Sequence, residues 1–134
     1  MSKTNITKTV MTIIFCLYIA AVAYLCFARP DDMPQLPQLW LGLPADKVGH
    51  FLMFMPFPLL GYLTFEVNEM SVGRKLFLIA ILIVFGAGMA LGTEYIQARL
   101  EYRSAENSDL LADVIGLITG GIFTLIYIFL RKGK

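Results

Sequence analysis

This chain is short of charge, of histidine and of cysteine, and each shortage excludes a class of protein. Only 16% of its 134 residues are charged, against about 25% in an ordinary soluble domain. Charge is therefore too sparse to clothe a water-exposed surface. The formal net charge is +1 and no basic stripe appears, so nucleic acid is not an expected partner. The two cysteines, Cys16 and Cys26, stand ten apart in one apolar run. That is too far to bridge within a helix, and they read as small buried hydrophobes. With His50 the single histidine, the paired-His signature of a zinc protease is missing. No serine occupies a Gly-x-Ser-x-Gly setting, which removes the usual nucleophile elbow. Internal repeats and low-complexity segments are absent too.

What remains is apolar sequence, 57% of the chain. Four runs are long enough to cross ~30 Å of hydrocarbon at ~1.5 Å per residue. They extend from Lys8 to Ala28, Asp46 to Phe65, Lys75 to Gln97 and Asp109 to Leu130. Lipid offers the backbone no partners, so only helices or closed barrels span it. These runs are too long and too uniformly apolar for barrel strands. The expectation is one all-α domain over residues 1–134, a membrane bundle of four transmembrane helices. Lys3 and Lys8 before an apolar run resemble the start of a signal peptide. The run from Val10 to Ala28 exceeds the 7–15 apolar residues of such a peptide, so a retained helix is expected.

Lys and Arg set orientation in a membrane. Lys3, Lys8, Arg74, Lys75, Arg131, Lys132 and Lys134 fall on one side; Arg29, Lys47, Arg99 and Arg103 fall on the other. The bias predicts both the N-terminus and the C-terminus in the cytoplasm.

The remaining polar residues cluster at the opposite, outer side. Asp46, Lys47 and His50 open the second run, Glu94 and Gln97 close the third, Arg99 and Arg103 follow, and Asp109 and Asp113 open the fourth. A charge at membrane depth costs roughly 2.5–3.5 kcal/mol on insertion scales, and such residues mark bundle interiors or wet cavities. Asp46 and His50 are four apart, as are Asp109 and Asp113, while Glu94, Gln97 and Glu101 are three and four apart; each set shares a helix face. Asp46 and Asp109 are also suited to cap their helices. His50, Glu94 and Asp113 lie deepest. They resemble a His-carboxylate metal set, but without a second histidine no metal and no cofactor is assigned.

Proline and glycine shape the spans. Pro56 and Pro58 remove two backbone donors and predict a kink in the second span, either a packing feature alone or one that opens space beneath His50. Gly88 with Gly92, and Gly116 with Gly120, form small-xxx-small pairs that permit close helix contact. They predict tight packing of the third span on the fourth, or a homodimer through one of these faces. The stretch from Arg29 to Ala45, with Pro30, Pro34, Pro37, Pro44 and Trp40, suits either an interfacial segment or an ordinary loop with a Trp at the membrane boundary.

Two blocks resemble the VanZ-like family. DKVGHFLMF, from Asp46 to Phe54, is similar to its opening motif. GTEYIQARLEYRSAENSDLLADVIGLITG, from Gly92 to Gly120, is similar to its second. The matched positions are Asp46, Lys47, His50, Glu94, Gln97, Arg103, Asp109 and Asp113, and where this chain has Asp113 the family often has Asn. The resemblance implies a small multi-pass protein of the bacterial inner (cytoplasmic) membrane, in a family associated with low-level teicoplanin resistance. Membrane lipids are its expected surroundings. The expected ligand is an amphiphile at the outer leaflet: a lipid, a lipid-linked cell-wall precursor or a lipoglycopeptide. Lys47, Arg99 and Arg103 would hold its anionic groups, Glu94 and Asp113 would orient them, and Phe51 and Phe54 would flank an acyl chain. A membrane-embedded hydrolase or transferase with His50 or Glu94 as general base is the alternative, and a structural or accessory subunit is the third class.

Overall fold

The computed structural model describes residues 3–27, 39–40, 42–66, 69–100 and 107–132. It contains helices α1 (Lys3–Phe27), α2 (Ala45–Phe54), α3 (Pro56–Phe65), α4 (Val72–Arg99) and α5 (Asn107–Lys132), with strands β1 (Leu39–Trp40) and β2 (Leu43–Pro44) before α2. Four helical stretches are long and apolar enough to cross a membrane, α2 and α3 together making one of them. The all-α expectation holds, with one addition. The strands pair antiparallel, Leu39 with Pro44 and Trp40 with Leu43. Gly42 in the connection takes φ 77°, a value glycine adopts without steric cost. Arg29 lies outside the described residues, as does most of the stretch expected at the interface.

The bundle is apolar on both sides of its helices. Phe54, Phe57, Tyr62, Ile79, Leu82, Ala90, Leu117 and Ile128 form the core. Leu17, Phe77, Val84, Phe85 and Leu130 are more than 60% exposed on the outside. Large apolar side chains left outside in this number require lipid as their solvent. At the start of α4 the Ser71 hydroxyl accepts from the Arg74 N–H at 3.3 Å, an N-cap that stops the helix end from fraying.

The second span breaks at Met55, between α2 and α3. Pro56 and Pro58 have no N–H, so the carbonyls of Leu52 and Phe54 lose their helical donors. Met55 still takes helical angles, φ −58° and ψ −41°, and its N–H reaches the Phe51 carbonyl at 3.0 Å. The kink expected from the prolines is thus a change of hydrogen bonding on a nearly continuous helical path. The space expected beneath His50 is filled by α5. A Cβ on Gly116 would come 2.5 Å from the Phe51 carbonyl oxygen, and one on Gly120 would fall on the Met55 carbonyl. The Gly116–Gly120 stripe therefore packs against the kinked span, while the expected packing of the third span on the fourth holds through other residues, with Gly121 beside Ile83. Gly88 and Gly92 have open space around them. Gly86 makes the third span's close approach instead, facing Leu117 and Phe57.

Orientation is testable at two exposed positions, Ser71 and Asn107, which flank opposite membrane faces. In a Cys16→Ala, Cys26→Ala background, a membrane-impermeant maleimide added from outside should label Asn107→Cys and leave Ser71→Cys untouched. The reverse pattern would overturn the cytoplasmic assignment of the termini.

Candidate functional site

The end of the bundle that carries the polar set is built from the C-termini of α1 and α4 and the N-termini of α2 and α5. Helix N-termini present free N–H groups and partial positive charge, which suits carboxylates. Asp46 and Asp109 each stand in the first turn of their helix. Asp46 does not cap α2: Pro44 holds that position, without a side-chain cap bond.

Lys47 and His50 reach from α2 toward α5. The Lys47 ammonium donates to Asp46 Oδ2 at 2.8 Å and also to Asp109 Oδ1. His50 Nδ1 lies 2.8 Å from Asp113 Oδ1, and its Nε2 lies 3.6 Å from Asp109 Oδ2. An ionised carboxylate only accepts, so with Asp113 in that form Nδ1 carries the proton of this contact. That bond turns Nε2 toward Asp109 and the membrane surface. Along the chain of contacts side-chain exposure drops from 58% at Asp46 through 21% at Lys47 to 9% at Asp109, 11% at His50 and 1% at Asp113. Asp46 and His50 share a face as expected, yet each finds its partner elsewhere.

Helix α4 contributes from the side. Both carboxylate oxygens of Glu94 are buried. Of the two candidate general bases, His50 makes its hydrogen bond to Asp113. One turn on, Gln97 is buried and its Nε2 donates to the Cys26 carbonyl at 2.9 Å. This satisfies an orphan carbonyl at the C-terminus of α1.

Two expected ligand groups fall away from the network. Arg99 is exposed, with its guanidinium over the Tyr95 ring, 4.6 Å from the centroid, and bonded to the Tyr95 hydroxyl. Phe54, expected to flank an acyl chain, is 2% exposed and belongs to the core. Arg103 and Glu101 lie outside the described residues.

Sequence reading missed Tyr18. From α1 its hydroxyl donates to the Met53 carbonyl beside the kink. A phenol inside an apolar run signals such a need, because a buried Tyr hydroxyl usually finds a partner. The opposite face of the bundle carries a separate polar group. There Lys8 donates to the carbonyls of Leu63, at 3.2 Å, and Glu66, closing the C-terminus of α3. Arg131 bonds the Tyr127 hydroxyl at 3.0 Å and Glu66 at 3.4 Å.

This arrangement rests on the residues of the two blocks noted in the sequence. The chain is 33% identical, over 125 residues, to an uncharacterised protein of the fission yeast Schizosaccharomyces pombe. The match covers 91% of this chain and 66% of that relative, so the chain spans just under two thirds of its length. No solved structure matches. The family model for VanZ/LLP1 matches residues 10–131, and the chain belongs to that family.

Proposed function

We propose that this protein binds the polar head of a membrane amphiphile at the Asp46–Asp113 end of the bundle, in the outer leaflet by the Lys/Arg bias. The graded exposure of the network carries this reading. A structural ion pair gains nothing from an opening to the surface, whereas a headgroup site needs polar groups that run from the water interface into the bundle. Asp46 supplies the open end and Asp113 the closed one. Lipid surrounds the helices, and acyl chains are held by apolar contact alone. The fission-yeast relative favours an amphiphile common to many membranes over a bacterial wall precursor or teicoplanin.

Native mass spectrometry of the detergent-purified protein tests this. A retained lipid is expected, with retention falling about tenfold in Asp109→Asn, the loss of one charge-assisted hydrogen bond. Glu66→Gln, at the opposite face, should leave retention unchanged. No retained lipid, or equal loss in both variants, would overturn the reading.

The alternative of a hydrolase or transferase gains one specific support. Asp113 holds His50 Nδ1 as a carboxylate orients a general base. Hydrolysis or transfer on the retained lipid, abolished by His50→Gln with binding intact, would establish it.

A further inference from the structure

We propose that the group recognised at this site is a primary ammonium, held in competition with Lys47; the inference rests on the amphiphile reading above and deepens it. The reasoning starts from which hydrogen-bonding capacity is already used. Among the described residues no buried side-chain nitrogen lacks a partner. Lys47 is spent on Asp46 and Asp109, His50 Nδ1 on Asp113, and Gln97 Nε2 on Cys26. What is left over accepts. Asp113 is wholly buried and its Oδ2 has no hydrogen-bond partner among the described residues; Gln97, 3% exposed, leaves Oε1 in the same condition. A buried acceptor without a donor carries a standing desolvation penalty. A phosphate or carboxylate head brings more acceptors and relieves nothing. An ammonium brings three donors.

Charge points the same way. On α2 and α5, Asp46, Asp109 and Asp113 face one ammonium and one imidazole. Lys47 shows that the site takes an ammonium, because it bridges two of these carboxylates from a flexible stem. It is also 21% exposed, and it bonds Asp109, which adjoins Asp113 through His50. An incoming ammonium displaces that head toward water, where a lysine head is well solvated, and takes its carboxylates.

This competition separates the proposal from anion binding. If Lys47 were the anchor for a phosphate, removing it would weaken binding. If Lys47 is an internal competitor, removing it strengthens binding. The experiment uses purified full chain in detergent, with phosphatidylethanolamine, phosphatidylcholine and phosphatidylglycerol of matched acyl chains titrated separately and occupancy read by native mass spectrometry. The choline head keeps the charge of the ammonium but has no N–H to donate; the glycerol head has hydroxyls and no cation. Phosphatidylethanolamine should bind about tenfold tighter than either, as expected for a charge-assisted hydrogen bond. Lys47→Met should raise its occupancy at subsaturating lipid. Free ethanolamine is the second arm. Competition by it at millimolar levels assigns the site to small amines as well, and no competition confines it to lipid heads; both uphold the ammonium.

Equal binding of ethanolamine and choline heads, or preference for phosphatidylglycerol, overturns the ammonium while leaving amphiphile binding intact. Weaker phosphatidylethanolamine binding in a folded Lys47→Met overturns the competition. Should that variant fail to fold, the headgroup series on the unaltered protein decides alone. No binding of any of the three lipids overturns both this inference and the reading beneath it.

Discussion

Replacing His50 with leucine should destabilise the protein by about 3–5 kcal/mol, the loss expected when one partner of a buried ion pair is removed. Asp113 is 0% exposed, and His50 at 2.8 Å is its hydrogen-bond partner. Without the imidazole the Asp113 carboxylate has no donor, and burial of a lone charge is prohibitive in an apolar interior. The double variant His50→Leu, Asp113→Leu should recover most of the loss, since apolar replacement of both partners is often neutral. Thermal unfolding in detergent of the two single variants and the double closes the cycle. Additive losses would show that the two side chains are not coupled. Sequence alone casts His50 as a residue of function more than of folding; the wholly buried Asp113 gives it both roles.

A comparable effect is expected where the helices touch by backbone. Gly120→Ala should cost about 3 kcal/mol, the upper range for forcing an extra methyl into a filled space. The added carbon would meet the Met55 carbonyl group and, at 3.0 Å, Pro58 Cδ. Neither is the end of a flexible side chain, so the helices must separate. Gly116→Ala meets the Phe51 carbonyl and should behave alike. Gly88→Ala and Gly92→Ala meet nothing within 4 Å and should cost nothing in an isolated chain. Equal losses at all four positions in the unfolding midpoint would refute this division of the glycine pairs. A selective loss of dimer in Gly88→Leu would instead assign that open face to a homodimer.

Much of the site was legible beforehand. Asp46, Lys47, His50, Asp109 and Asp113 announce themselves because ionisable groups stand out inside apolar runs, and the structure draws all five into one chain of ion pairs. Glu94 buries its carboxylate oxygens on α4. Gln97 is buried too, with a structural bond to α1 that spacing could not reveal. Arg99 looked equivalent to Lys47 by charge and membrane side, but its exposed position on α4 leads it to Tyr95. Tyr18 went unnoticed because one phenol scarcely changes the apolar character of its run.

The number of spans, their limits and the ends where polar groups gather are properties of local sequence. A backbone in lipid must satisfy its own hydrogen bonds, so length and apolarity alone settle which segments become helices. The partners were decided by tertiary structure. In a soluble helix the apolar face reveals what turns inward. Here Val84 faces lipid and Leu82 faces the core, and both are aliphatic. Rotation of each helix is therefore set by close packing, through Gly116 and Gly120 against the Met55 kink. That packing places Asp113 against His50 and leaves Gly88 and Gly92 facing outward, a choice between equally apolar faces that only assembled helices can make.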